Sequence, residues 1–306
     1  MDHFISFDGG GTKIDAIVFD ENLNTVFKTT YNGGINARTL APDVVEKNIV
    51  GCMEQIKSGI NGLNIKRMYG FFMHNQLLFE KHGRDILGCG DVVVIDEGVQ
   101  GILCGGIYPS GVLLLCGTGS DAFVVQNGQT VDIIGGWGAL LGDDGSGYSM
   151  GKAALNAAIA YYEKRIDYTL LYDAVIKKYP AESFRKSVYG VYAGTEPVRA
   201  IADFAKDAEI AADKGDKAAL QIFEDAATSL AQYVITAFNK HDLPLDTPVT
   251  FTGGILKHDI SREKPLILGK IGEILSSFGI TNLKTDIKPA VFGGMIYHEM
   301  SHKKNY

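Results

Sequence analysis

One layout occurs twice in this chain: strand, glycine turn, strand, asparagine-bearing turn, strand. That duplication constrains the fold more than any other feature. The first copy reads HFISFD, GGGTK, IDAIVFD, ENLN, TVFKTT; the second, about a hundred residues later, reads GVLLLCG, TGS, DAFVVQ, NGQ, TVDIIGG. Each apolar run has the length and residue types of a strand and is bounded by turn residues. A repeat of this size predicts two related lobes. Between the copies the pattern predicts a helix over Val44–Ile60 and strands at Arg67–Phe72 and Val92–Ile95. After the second copy it predicts helices at Met150–Glu163, Tyr168–Lys178, Val198–Lys214 and Lys217–Asn239. A strand at Pro248–Thr252, a helix near Pro265–Ser277, a strand at Leu283–Ile287 and a closing helix from Pro289 complete an α/β chain with mixed sheets.

The bulk composition narrows the function classes. The chain has 306 residues, enough for one large domain or two middling ones. Its net charge is −7, from 29 basic and 36 acidic side chains, with no basic stripe. That argues against a nucleic-acid surface but not against a small anion held by local amides. The four cysteines lie far apart and form no CxxC pair, so structural zinc and a disulfide framework are not expected. Reduced thiols suit a cytoplasmic protein. The first residues lead into an acidic strand end at Asp8, unlike a signal peptide, and no apolar run approaches the roughly 20 residues of a membrane span.

The 37 glycines are the unusual count, and they cluster. A strand–turn–strand with several glycines lets backbone N–H groups approach a ligand without Cβ interference, and phosphate oxygens are the common ligand of such a nest. Gly9, Gly10, Gly11, Thr12 and Lys13 form the first such turn, and Gly117, Thr118, Gly119 and Ser120 the second. A plain hairpin explains either turn alone; two nests in two related lobes suit a polyphosphate clamped from both sides. Asp8 then stands where a carboxylate holds Mg²⁺, directly or through water. Gly253 and Gly254, after a buried strand, suit close approach by an adenosine. A P-loop is excluded, because Ser146 occupies its first glycine position and Ala153 brings no hydroxyl. A Rossmann fingerprint is excluded because Gly9–Gly11 leads into a strand, not a helix.

The segments DGGGTK, CGTGS, GGWGALLGDDGSGYSMGK and FTGG, in this order and spacing, resemble the N-acetylglucosamine kinase and BadF-type ATPase family, within the actin, hexokinase and heat-shock-chaperone superfamily. The resemblance implies an α/β fold of two related ribonuclease-H-like lobes, the actin-like ATPase fold, with a central cleft. Residues 1–107 with 289–306 would form one lobe and 108–288 the other. It implies ATP and Mg²⁺ as cofactors and an amino sugar as small-molecule partner, phosphorylated at the 6-hydroxyl. It is compatible with a homodimer, and neither a nucleic-acid nor a membrane partner is expected. By resemblance Asp96 is the catalytic base and contacts the sugar, together with Asn36, Thr118, Gly136, Trp137 and Asp143. Plainer roles stand beside these: Asp96 as the cap of a helix starting near Glu97, Trp137 as a core residue, Asn36 as a turn residue. The chain departs from the family at Glu97, where a small residue is commoner, and at Phe71–Gln76, where relatives carry a small-residue turn. His74 in that segment is either a ligand contact or a packed or surface histidine.

The alternative within the family is an ATPase activator of a CoA-ester dehydratase or reductase, whose [4Fe–4S] cluster uses cysteines from each subunit. A third reading is a non-catalytic, sugar-binding regulator. The joint presence of Asp8, Thr12, Asp96 and Asp143 argues against it, since a mere binder has little use for a base beside a phosphate clamp.

Overall fold

The computed structural model describes residues 1–37, 40–194 and 196–303, in two compact units. Unit 1 comprises Met1–Pro109, Asn127–Gln129 and Asp286–Tyr306, its last three residues lying outside the described ones; unit 2 comprises Ser110–Gln126 and Thr130–Thr285.

Unit 1 is a five-stranded sheet flanked by helices. β1 (His3–Gly9), β2 (Ile14–Asp20) and β3 (Thr25–Tyr31) form the meander read from the first copy. Helix α1 (Pro42–Gly59) leads into β4 (Ile65–Phe71), and α2 (Gln76–His82) into β5 (Val92–Val94) and α3 (Glu97–Cys104). The strand order is β3-β2-β1-β4-β5, with β1 antiparallel to β2 and parallel to β4. Buried Val45, Ile49, Cys52, Met53 and Ile56 of α1 recur at helical spacing and pack on Ile5, Phe7, Ile14, Ala16 and Val18 of the sheet. On the other face the C-terminal helix (Gly293–Lys303) brings His298 against Phe4, Phe19 and Tyr69. Its Nδ1 meets the Tyr69 hydroxyl at 2.8 Å, and burial holds the imidazole down to about 4.

Unit 2 repeats the topology. β6 (Gly111–Cys116), β7 (Ser120–Gln126) and β8 (Gln129–Gly135) are the second copy. A helical stretch follows: α4 (Gly147–Tyr162), α5 (Leu170–Lys178), α6 (Phe184–Tyr189), α7 (Pro197–Ala202), α8 (Phe204–Asp213) and α9 (Lys217–Lys240). Then come β9 (Val249–Thr252), α10 (Gly254–Ser261), α11 (Leu268–Ser277) and β10 (Leu283–Lys284). The order β8-β7-β6-β9-β10 matches that of unit 1, element for element, with β6 antiparallel to β7 and parallel to β9. Both sheets thus share one strand order, as two related lobes should.

Local details differ from the sequence reading. The helix expected over Val198–Lys214 breaks at Asp203. There the Ile201 carbonyl lies so near α4 that a Cβ on Gly151 would stand 1.9 Å from it; tertiary packing overrides a stretch of good helix formers. The helix expected from Pro289 begins as a 3₁₀ turn, Ala290–Phe292, before Gly293. The strand expected at Leu283–Ile287 is only two residues long, and α2, α6 and α10 were not foreseen. Among the described residues no helix is long and apolar enough to cross a membrane.

Candidate functional site

The first glycine turn is built by close backbone contact. Asp8 is half-buried and stands opposite Asp15 in the β1/β2 register. The Gly10 amide donates to the Lys13 carbonyl at 2.9 Å, closing the turn. Behind it, Gly34 packs so tightly that a Cβ would lie 2.0 Å from the Gly11 carbonyl oxygen. The Ile35 amide donates to the Gly10 carbonyl at 2.9 Å, and Asn48 Nδ2 donates to the Gly34 carbonyl at 2.8 Å. On its outer side the turn is bare: a Cβ on Gly11 would meet nothing within 4 Å. The amides of Gly11 and Thr12 donate to no described group. Lys13 is held by Asp15 at 2.5 Å.

The unusual 71–76 segment buttresses this turn. Asn75 Nδ2 donates to the Ile35 carbonyl at 2.8 Å, and so reaches Gly10 through one intervening residue. Met73 and His74 both sit at positive φ, +45° and +66°, strained for residues with a Cβ. Phe72 is in the core against Phe7 and Phe79, while His74 is exposed. Asn36 follows directly; its carbonyl accepts from the Leu40 amide at 3.0 Å. Asp96 lies one residue past Ile95, whose amide donates to the Gly70 carbonyl at 2.8 Å. It caps α3, Oδ1 accepting from the Gly98 amide at 2.9 Å. Glu97 is the first residue of that helix.

In unit 2 the second turn is fixed by α4. The Gly147 and Tyr148 amides donate to the Gly117 and Thr118 carbonyls at 2.9 and 3.1 Å. The Thr118 and Gly119 amides donate to no described group. The Ser120 hydroxyl is turned to the Asp144 carbonyl at 2.8 Å. Asp143 is buried at φ +60°, and a Cβ on Gly119 would lie 2.8 Å from its Oδ2. Burial raises its carboxyl, against the backbone amides of Ser120 and Gly138. It therefore ties the phosphate-type turn to the Gly136–Gly142 loop. Gly136 sits at φ +69°, its amide on the Ser120 carbonyl at 3.2 Å. Trp137 is 75 % exposed, so the core role is excluded.

Asp121, one residue after the turn, escaped the sequence reading. Its Oδ1 is buried without a hydrogen-bond partner, and burial, aided by the charge of Asp143, pushes the carboxyl up to about 7. The only hint was an acid opening an otherwise apolar strand. The folded protein keeps this proton to higher pH than the unfolded chain does, where the ordinary value is 3.8. The stability it contributes is whole below pH 3.8 and lost as pH rises through about 7. His298 acts oppositely: its contribution is whole above 6.5 and lost as pH falls through about 4. Asp121→Asn is expected to stabilise the protein at pH 8 by on the order of 1–3 kcal/mol, the gain vanishing near pH 4. Thermal melts of both proteins at pH 4.5 and 8 check this; equal shifts at the two pH values would contradict it.

Unit 2 also holds a cavity of about 660 Å³, within the usual range for small-molecule sites. Gly117, Thr118 and Gly254 line it together with Phe223, Glu209 and Arg262. The glycine pair belongs here for steric reasons: Gly253 sits at φ +92°, and a Cβ would stand 2.2 Å from the Cys116 carbonyl oxygen. Gly254 opens α10 with no side-chain cap. Phe223, Glu209 and Arg262 were not foreseen, because nothing local marks residues that meet only through packing.

The chain matches the BadF/BadG/BcrA/BcrD ATPase family over residues 7–265. It belongs to that family. Two curated proteins align with this BadF-family chain. One is the N-acetylmuramic acid/N-acetylglucosamine kinase of Clostridium acetobutylicum, 25 % identical over 237 residues, 75 % of this chain and 77 % of that one. The other is the N-acetyl-D-glucosamine kinase of Dictyostelium discoideum, 26 % identical over 275 residues, 82 % of this chain and 84 % of that one. The fold is that of a solved structure from Porphyromonas gingivalis, a candidate N-acetylglucosamine kinase, with TM-score 0.72 at 18 % identity over 99 % of this chain and 100 % of the other.

Proposed function

We propose that this chain transfers the terminal phosphate of ATP to the 6-hydroxyl of an amino sugar, N-acetylglucosamine or a close relative. The observation that carries the reading is the set of four turn amides, Gly11, Thr12, Thr118 and Gly119, whose N–H groups have no acceptor among the described residues. Amides presented from bare turns are what phosphate oxygens require. Membership of an ATPase family and likeness to two amino-sugar kinases support the same reading.

In this reading Gly9–Lys13 and Gly117–Ser120 hold the phosphates, and the unit-2 cavity beside Gly253 and Gly254 takes the adenosine. Asn36, Thr118, Gly136, Trp137 and Asp143 hold the sugar. Phosphoryl transfer needs positioning, charge neutralisation and one acceptor for the hydroxyl proton. Asp96 takes that proton as the sugar oxygen bonds to phosphorus and ADP leaves. Its cap bond to Gly98 fixes the carboxylate's direction. Mg²⁺ fits the donor set: it commonly uses one or two carboxylates with waters and phosphate oxygens, and half-buried Asp8, next to Gly9 at the end of β1, supplies one such carboxylate. When bound, the ion would neutralise phosphate charge.

The activator reading is disfavoured by the cysteines. Cys52, Cys89, Cys104 and Cys116 are buried and not disulfide-bonded, whereas cluster ligands shared between subunits must reach the surface. Burial pushes the Cys52 thiol up to about 12, far from the thiolate a cluster binds. The test is a panel of N-acetylglucosamine, glucosamine, N-acetylmannosamine and N-acetylmuramic acid with Mg·ATP, read by mass spectrometry and ADP release. The expected result is one phosphorylated hexosamine per ADP from colourless, iron-free protein. A brown protein that hydrolyses ATP and phosphorylates none of them would overturn the reading.

A further inference from the structure

One wall of the unit-2 cavity carries a carboxylate in a fixed orientation. Glu209 lies on α8, and its Oε1 accepts from His258 Nε2 of α10 at 2.7 Å and from Arg262 Nη1. Arg262 is held at three nitrogens: Nη1 on Glu209, Nη2 on Asp213, and Nε on the Lys264 carbonyl at 3.2 Å. A guanidinium anchored as a rigid fork fixes the carboxylate it grips. Side-chain exposure is 14 % for Arg262 and 20 % for Glu209, so the pair is largely enclosed.

Both donors occupy Oε1. Oε2 accepts from no described residue, and Glu209 lines the cavity that also bears Gly117, Thr118 and Gly254. The other acids there are engaged. Asp259 gives its two oxygens to the Leu266, Ile267 and Leu268 amides at 2.7, 3.1 and 2.8 Å, and Asp203 pairs with Lys206 at 3.3 Å. Phe223, Ile255 and Ile267 supply apolar surface. A carboxylate oxygen without a donor, in such a wall, is an acceptor placed for a ligand's O–H or N–H.

We infer that Glu209 reads the nucleoside of the phosphate donor, its Oε2 accepting from a ribose hydroxyl or from the exocyclic amine of the base. This rests on the nucleotide half of the proposed function and is independent of the sugar. Calorimetric titration of the full chain with the Mg²⁺ complexes of ATP, 2′-deoxy-ATP, 3′-deoxy-ATP and ITP tests it. Wild-type protein is expected to bind ATP roughly 10- to 100-fold more tightly than the analogue lacking the donor that Glu209 takes. Weakening by a deoxy form assigns the ribose; weakening by ITP assigns the amine. In Glu209→Ala the gap closes to within about threefold, and Glu209→Gln, which keeps an acceptor oxygen, retains part of it. A purely structural role would lower all four affinities together and leave their ratios unchanged. Analogues equal to ATP in wild type, or a gap that survives in Glu209→Ala, overturn the inference. ATP bound with the expected pattern but no hexosamine phosphorylated would sink the kinase reading and leave Glu209 assigned; no ATP binding at all would sink both.

Discussion

Asp96→Asn is expected to lower turnover by roughly two to four powers of ten while leaving thermal stability unchanged. The two parts of that result separate the two roles the residue can have. The structure gives Asp96 the capping role: Oδ1 accepts from the Gly98 amide at 2.9 Å at the start of α3. Asparagine caps a helix about as well as aspartate, because its carbonyl oxygen can accept the same bond. It cannot take a proton from a sugar hydroxyl at neutral pH. Asp96→Ala removes both functions and should match the loss of turnover while also costing about 1 kcal/mol of stability. In a protein of this size that lowers the melting temperature by about 1–2 °C. Steady-state kinetics and melts on the two variants decide the matter. Near-normal turnover in Asp96→Asn would reduce Asp96 to a cap and require another base.

The second large effect is expected at two glycines from different loops that pack against each other. Gly34→Ala places a methyl 2.0 Å from the Gly11 carbonyl oxygen and 2.8 Å from the Thr12 nitrogen, so one of two backbones must move. Because both atoms belong to the phosphate-type turn, the variant should lose ATP affinity by more than about tenfold and several degrees of stability. Gly11→Ala is the opposite case. Its methyl meets nothing within 4 Å, so folding should be unaffected. The empty space it fills is the space proposed for phosphate oxygens. ATP affinity should fall there too, with an unchanged melting temperature. If Gly11→Ala bound ATP like wild type, the bare side of the turn would not be the phosphate side.

The repeat of apolar runs and glycine turns foretold both sheets, since strand periodicity and turn residues are local signals. The same locality explains what stayed hidden. Nothing local marks Gly34 as the backing plate of Gly11; that emerges only when β2, β3 and the following loop are folded. The Phe71–Gln76 departure was visible, but its Asn75 bond to the Ile35 carbonyl spans 40 positions. Asp143 was legible as an important acid. Its close approach to Gly119 depends on a left-handed backbone, which aspartate tolerates but which its identity alone does not specify. Glu209, His258 and Arg262 come from two helices 49 and 53 residues apart in pairing, and carry no motif at all. Trp137, a sugar contact by resemblance with a core position as its plainer alternative, is 75 % exposed, which removes only the core position.

The central claim is that the Gly9–Thr12 and Gly117–Ser120 turns grip one nucleotide. Selective ¹⁵N-glycine labelling with a Mg²⁺·ATP analogue titration monitors it directly, through the amides of Gly9, Gly10, Gly11, Gly117 and Gly119. Signals from both turns are expected to shift together, with one dissociation constant and saturation at one nucleotide per chain. A titration in which either turn stays silent while the other saturates would contradict it.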